Sequence, residues 1–295
     1  MVQPHPNRIL VAFNLACLVL SAAVSTPSLC SQPLLSVQET SANAVPIDPV
    51  ALIKTVEANQ NQIEAARKDY IFHRRDEMPE LDSQGRLKTN KVREYEVYFI
   101  GPWEIDRLLS KDGKPLNEGE RKKQDEEVRK QEAKARERIA KRDSGEDPGK
   151  DAITVAKFLA ADRFYNLRRD TYQGREVYAM DFAPRPEFEP HSLVDKLLKA
   201  LGGTLWIDEQ AKQGVRLEAH FLEGVKVGGG LAALQKGGSV VLEQRFVNDE
   251  VWMPSDLEIH LNARVLFAHK LFNVTSAYDD YRKFRVDSKI TGAAP

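Results

Sequence analysis

The sequence predicts an α+β fold: an antiparallel β-sheet with one apolar face, helices that cover that face, and one charged helix inserted between strands. Three observations predict it. In the run 203–286, Val215, Leu217, Ala219 and Phe221 alternate with Arg216, Glu218 and His220. Leu257, Ile259, Leu261, Ala263, Val265 and Phe267 likewise alternate with Glu258, His260, Asn262, Arg264 and Leu266. Side chains alternate across a strand, so each segment has an apolar side and a wetter side. Second, Leu52, Ile53, Val56, Ile63 and Ala66, and again Leu193, Leu197, Leu198 and Leu201, fall at helical spacing. They supply the apolar stripes that such a sheet needs above it. Third, from Glu118 to Arg142 almost every residue is Glu, Lys, Arg, Asp, Gln or Ala, with Val128 and Ile139 nearly alone as large apolar residues. Mixed charges three and four apart support an exposed helix, a solvated arm, and the lack of sustained apolar heptads excludes a coiled-coil surface.

The 295 residues carry a formal net charge of -1, with 42% hydrophobic residues. This suits one large domain or two small ones and gives no support for nucleic-acid binding or wholesale disorder. Arg8 precedes the apolar stretches 9–13 and 15–20, and small residues follow from Ser21 to Ser25. That is the charged, apolar, small order of a secretory signal, and the apolar stretch is short for a membrane span. The expected organisation is a signal peptide over 1–30, a spacer over 31–47, one domain over 48–290 with an insertion at 118–149, and a tail at 291–295. An uncleaved N-terminal membrane anchor is the alternative. Cleavage after Cys30 would remove both Cys17 and Cys30, leaving no thiol for a disulfide or a metal.

Taken in order, Asp48-Pro49 opens a helix, with Asp48 as cap and Pro49 at the tolerated first position. Residues 70–76 read as a first strand, Gln84-Gly85 as a turn, and 92–100, rich in Val, Tyr, Phe and Ile, as a second strand ended by Gly101-Pro102. After the charged segment and a loop at 144–149, Asp151 is expected to cap a short helix. Residues 164–167 and 177–182 flank Gln173-Gly174 as a hairpin. Pro184, Pro186 and Pro190 break the ladder, a helix starts at Ser192, and Gly202-Gly203 is expected to end it. A glycine-rich connection spans Gly224 to Gly238 without the Gly-Lys-Ser/Thr ending of a phosphate loop. Residues 240–247 form the next strand, Asn248-Asp249-Glu250 a turn, and Trp252-Met253-Pro254 starts the long strand.

These residues resemble a known family. Gly203-Thr204-Leu205-Trp206-Ile207-Asp208, a Gly-containing turn, Val215-Arg216-Leu217-Glu218-Ala219, Val251-Trp252-Met253-Pro254 and Tyr278-Asp279-Asp280-Tyr281-Arg282-Lys283-Phe284 are similar to the outer-membrane lipoprotein-sorting, LolA/LolB-like superfamily, related in shape to the RseB sensor domain. The resemblance covers residues 50–290 and is best after Gly203. It implies an incomplete antiparallel β-barrel with helices lidding a hydrophobic cavity for acyl chains, and a periplasmic location. The charged insertion departs from the compact carriers. The implied partners are lipid or lipoprotein acyl chains and the inner- or outer-membrane transport proteins that handle them. Trp206, Leu217, Phe221, Ile259, Leu261 and Phe267 are the candidate lining residues; alternation is the same for a packed core and a hollow cavity, and both readings stay open.

Chemistry of other kinds leaves no signature. His5, His73, His191, His220, His260 and His269 are scattered without a zinc-hydrolase spacing, although His220 and His260 share the polar faces of two strands. His73-Arg74-Arg75-Asp76 resembles a kinase catalytic loop but lacks its downstream Asn, glycine loop and strand lysine, and no Gly-X-Ser-X-Gly elbow occurs. The sequence therefore predicts no enzyme, no catalytic residue, no metal and no cofactor. The expected function is reversible binding of acyl chains; the alternative is an envelope sensor or scaffold that docks a protein through the charged arm and the glycine-rich loop.

Overall fold

Asp48 caps the first helix as the sequence implies: it accepts backbone N–H bonds from Val50 (3.1 Å) and Ala51 (3.3 Å), and Pro49 opens α1 (Pro49–Ala58). The computed structural model describes residues 47–81, 84, 86–144, 155–227, 232–265 and 268–283. The expected signal peptide, the spacer before residue 47, the Asp151 cap, Phe267 and the tail lie outside them. Asn59 separates α1 from α2 (Gln60–Arg67) and donates from Nδ2 to the Ala211 carbonyl (2.6 Å). There follow β1 (Tyr70–Leu81), β2 (Leu87–Ile100), β3 (Trp103–Lys111), β4 (Lys114–Pro115), α3 (Glu118–Asp143) and α4 (Val155–Ala161). Next come β5 (Asp162–Tyr172), β6 (Arg175–Pro184), α5 (Leu193–Ala200), β7 (Leu201–Asp208) and β8 (Gly214–Phe221). The last described elements are β9 (Val225–Val227), β10 (Ala232–Leu234), β11 (Ser239–Val247), β12 (Val251–Val265) and β13 (Ala268–Lys283). Two expected hairpin turns are present, and Gly85 of the expected Gln84-Gly85 turn lies outside the described residues. Gln173 and Gly174 (φ 50° and 76°) and Asn248 and Asp249 (φ 51° and 56°) adopt the paired positive φ that suits the twist of the flanking strands.

The strands form one curved, antiparallel sheet in the order β4-β3-β2-β1-β13-β12-β11-β8-β7-β6-β5, with β10 paired to β12 and β9 to β10. β4 and β5 do not meet, so the sheet is an open half-barrel. The glycine-rich connection thus contributes a short hairpin to the sheet. One face, called inner here, carries the main core: Tyr70, Phe72, Val97, Phe99, Phe221, Val240, Leu242, Leu257, Ile259, Leu261 and Tyr278 pack with Ala66 of α2 and Leu197 of α5. Leu52 and Ile53 of α1 and Val155 of α4 cover Tyr178, Met180 and Ile207 on the same face.

Two expectations change. The first concerns Gly202-Gly203, which does not cap α5: the helix ends at Ala200, and both glycines already belong to β7. A Cβ on Gly203 would lie 1.8 Å from the Glu218 carbonyl oxygen, so glycine is required there by close approach of two backbones. The second concerns the charged segment, which is not a solvated arm. α3 lies on the outer face of β2 and β3, where Val128 and Ala135 are buried against Ile105, with Tyr98, Ile100 and Trp103 beside them. Gln131 accepts from the Asp106 N–H (3.0 Å) and donates to its carbonyl (3.3 Å), and Gln124 donates to the same carbonyl (3.1 Å). Arg138 stacks over Trp103 at 4.4 Å, and Arg142 holds both oxygens of Glu64 in α2 (3.0 and 3.1 Å). Residues 124, 128, 131, 135, 138 and 142 follow a heptad spacing built from Gln, Val, Gln, Ala, Arg and Arg, which a search for large apolar residues passes over.

Gly203→Ala is expected to lower unfolding stability by about 3 kcal/mol, the cost of overpacking against backbone that cannot move aside. Urea denaturation of the variant measures this; an unchanged midpoint would show that β7 and β8 separate freely.

Candidate functional site: the inner face of the half-barrel

The strand registers place inner-face residues in rows across the sheet. One row runs Met180, Leu205, Leu217, Leu242, Leu257, Ser276 and Asp76 from β6 to β1. The next runs Phe182, Gly203, Ala219, Val240, Ile259 and Val274, with Gly203 at the point of closest backbone approach. Leu201 faces Phe221, and Leu261 faces Phe272. Four of the six sequence-predicted lining residues, Leu217, Phe221, Ile259 and Leu261, therefore share one apolar wall, in contact with the α2 and α5 cover. Trp206 stands apart. It is paired with Arg216 and Ala179 on the opposite face, stacks against the Arg216 guanidinium (5.3 Å) and donates from Nε1 to Asp170 (3.0 Å). It belongs with Val177, Val215 and Trp252 in a second cluster, where the tip of the β5–β6 hairpin bends over β11 and both Tyr172 and Gln173 donate to the Gln244 carbonyl.

Along the first row the apolar wall runs into charge. Arg74 is fully buried, as are Asp76 and, on β3, the Glu104 side chain. The Arg74 guanidinium makes a two-pronged bond to Asp106 (3.0 and 3.0 Å), reaches Glu104 at 3.5 Å, lies 3.1 Å from Asp76 and stacks over the Tyr95 ring at 4.5 Å. Across the ladder Asp76 faces Ser276, and Arg74 faces Tyr278. A second guanidinium, Arg67 of α2, binds Gln244 (2.8 Å) and the Trp252 carbonyl (2.8 Å), where Gln213 also donates (2.8 Å). Burial holds the Asp76 carboxyl above the usual carboxylate range, with Arg74 opposing. Glu104 is held up by burial and by Asp106, again against Arg74. Burial alone would lower the Arg74 pKa, but Asp106, Asp76 and Glu104 overcome it and keep the guanidinium charged. Three carboxylates around one arginine carry excess negative charge, and the raised Glu104 and Asp76 are where a proton relieves it.

Sequence reasoning missed this cluster, although a signal existed. Arg74 and Asp76 share strand parity with Tyr70 and Phe72, which places two charges on the apolar face. A cleft of about 450 Å³ also opens between the α1–α2 junction and the β7–β8 and β11–β12 turns, lined by Asn59, Gln62, Ile63, Lys212, Gln213 and Val251 among others. It includes none of the six predicted lining residues. His220 and His260 lie on the outer face with Ser239 between them; His260 Nδ1 meets Asn273 Oδ1 at 3.1 Å. Among the described residues no three His, Cys, Asp or Glu side chains could hold a metal ion, and no helix is long and apolar enough to cross a membrane.

No family model and no curated protein matches this chain. Among solved structures, the chain is similar to an outer membrane lipoprotein-sorting protein domain from Vibrio parahaemolyticus, at 10% identity and a TM-score of 0.30, over 79% of this chain and 91% of that one. A LolA superfamily protein from Nitrosomonas europaea matches at 10% identity and a TM-score of 0.25, over 81% and 96%. MucB in the Pseudomonas aeruginosa MucA/MucB complex matches at 9% identity and a TM-score of 0.22, over 77% and 94%. These are loose likenesses of shape, and what those proteins sort or bind does not transfer to this chain.

The ionic cluster makes two expectations concrete. Replacing Arg74 by Met leaves buried carboxylates uncompensated and is expected to cost about 3–5 kcal/mol at pH 7, and less at pH 5, where the carboxyls take up protons. In the native protein, Glu104 and Asp76 keep protons that the unfolded chain has already lost above its ordinary carboxylate pKa. Stability therefore falls as pH rises from the ordinary carboxylate value through the raised folded values, and is greater near pH 5 than near pH 8. Denaturant titrations across that window should show a shallower decline in Glu104→Gln; an identical slope would remove Glu104 from the account.

Proposed function

We propose that this protein is an exported, periplasmic carrier-like protein that reversibly binds lipid or lipoprotein acyl chains on the inner face of its half-barrel, without covalent chemistry. The observation that carries the reading is the continuous apolar wall formed by Leu217, Phe221, Ile259 and Leu261 with Val240, Leu242 and Val274, beneath helices that are short and separate. α2 and α5 have 8 residues each, too short to be stable alone, so their seating depends on packing against this wall. An acyl chain takes the place of Leu197 and Ala200 of α5. Losing their burial costs about 2–4 kcal/mol, whereas ten methylenes buried on the wall contribute about 8 kcal/mol. Ordering the acyl chain offsets part of that difference, so exchange stays reversible, as a carrier that loads and unloads requires. The signal-like N-terminus and the sequence resemblance to the LolA/LolB-like superfamily support the same reading.

A second reading, an envelope sensor or scaffold for a protein partner, has one observation in its favour. α3 is docked along its length and presents an outward face of charged residues, including Arg121, Asp125, Arg129 and Lys130, all exposed.

Leu217→Glu and Ile259→Glu place a charge on the wall and are expected to weaken binding of a monoacyl phospholipid at least tenfold, measured by fluorescence titration on variants whose circular dichroism matches the parent. Unchanged affinity in both would reject the wall as the binding surface. Reversing Arg129 and Lys130 to Glu should leave that affinity untouched; a loss would favour the second reading.

A further inference from the structure

Asp162 is a buried carboxylate that neither the wall nor the ionic cluster uses. It has no exposed surface (0%), and both side-chain oxygens lack a hydrogen-bond partner among the described residues. Its position explains the isolation. Ala161 ends α4 and Asp162 begins β5 with no residue between them. The side chain shares strand parity with Phe164, which packs on Phe158 of α4 (5.0 Å), while Phe158 also meets Phe182 (5.3 Å). Ala161, Phe158 and Phe188 form an apolar cluster with Val194 and Leu198 of α5. The carboxylate thus stands at the root of the α4–α5 half of the cover.

The charged groups around it are mostly engaged elsewhere. Arg185 is the charge that acts on it, yet it donates from Nε to the Asp162 backbone carbonyl (3.0 Å), and its Nη1 is 4.0 Å from Glu187. On α5, Asp195 caps its own helix at Ser192 (2.9 Å), and Lys199 donates to the Pro186 (3.0 Å) and Phe188 carbonyls. Lys196, Lys157 on α4, and Glu189 and His191 lie in the segments beside it. α1, packed on α4 and β5, carries Asp48 as its cap, Lys54 and Glu57. β6 carries Arg175, Glu176 and Asp181, the last held by Asn166, Arg168 and Thr204. Arg163, next on β5, stacks over Tyr165.

We propose that Asp162 is a protonation-operated latch for this part of the cover: neutral, it lets α4 and α5 seat on the sheet; ionised, it drives them off. An ionised carboxylate without a hydrogen bond in apolar surroundings is costly, and opening α4 and α5 returns it to water. Burial raises the closed-state pKa to about 7, with Arg185 opposing, from an ordinary value of 3.8. Between those values the open form has lost its proton and the closed form has not, so the opening constant rises about tenfold per pH unit and levels off above about pH 7. A consequence for acyl release rests on the proposed carrier function; the latch itself does not.

Hydrogen exchange of the full chain without lipid, between pH 5 and 8 and corrected for intrinsic amide rates, tests it. Opening constants for amides in Val155–Ala161 and Leu193–Ala200 should climb about tenfold per unit to near pH 7, while amides of α3 report the separate pH response of the Glu104–Asp76 cluster. Asp162→Asn should be flat, and at pH 8 at least tenfold better protected than the parent. Arg185→Gln should move the plateau to higher pH. A flat profile in the parent overturns the latch, even if the Asn variant fails to fold, and so does a slope that persists in that variant. Because no lipid is present, failure of the latch and failure of acyl binding are read separately.

Discussion

The pairing of β1 with β13 holds this fold together. Residues near the two ends of the described chain meet there, Tyr70 opposite Lys283 and Arg74 opposite Tyr278, and join the β1–β4 half of the sheet to the β5–β12 half. Such long-range pairing is entropically demanding, so its register has to be specified strongly. Arg74 does this. Its guanidinium meets Asp76 on its own strand and Glu104 and Asp106 on β3, and it stacks on Tyr95 of β2. A slip of one residue would send Arg74 and Asp76 outward and bring His73 and Arg75 in, leaving the Glu104 and Asp106 carboxylates of β3 without Arg74. Replacing such a cluster with apolar residues often leaves stability unchanged or raises it, so its contribution here is to register more than to stability.

Much of the fold was legible because local chemistry and tertiary packing agree. The Asp48-Pro49 start, the Gln173-Gly174 turn, the Ser192 cap and the alternation of β8 and β12 each reflect a local rule that the full structure keeps. Illegible features arose where tertiary context assigns a residue a different task. Gly202-Gly203 has the composition of a helix stop, but close approach of β7 to β8 requires it. Trp206 lies between Leu205 and Ile207, so all three are apolar and parity cannot be read from composition; the ladder turns Trp206 to the other face. α3 docks through Gln, Ala and Arg as much as through Val128, and carboxamides that satisfy the Asp106 backbone carry no hydropathy signal.

The candidate site shows the same division. The apolar wall was readable from alternation, and Leu217, Phe221, Ile259 and Leu261 do face one way. Its limits were only half readable: parity puts Arg74 and Asp76 on the face of Tyr70 and Phe72, but register alone brings them and Ser276 to the end of the wall. The inner face is therefore bipolar. An apolar expanse lies beneath α2 and α5, and a sealed ionic cluster fixes the sheet beyond it. The sheet is rigid where charge locks its strands, and α2 is tied down through Arg67 and Glu64, whereas α5 meets the wall by packing, so motion should concentrate in α5.

Pulsed electron–electron spin resonance between labels at Lys196 on α5 and Lys270 on β13, both exposed, tests this most directly. Without lipid the account predicts one dominant distance, set by the seated helix. Adding a monoacyl phospholipid should shift the population to a second, longer distance, and removing the lipid should restore the first. A distance distribution that does not change while lipid binds would contradict displacement of the cover as the way this protein takes up a chain.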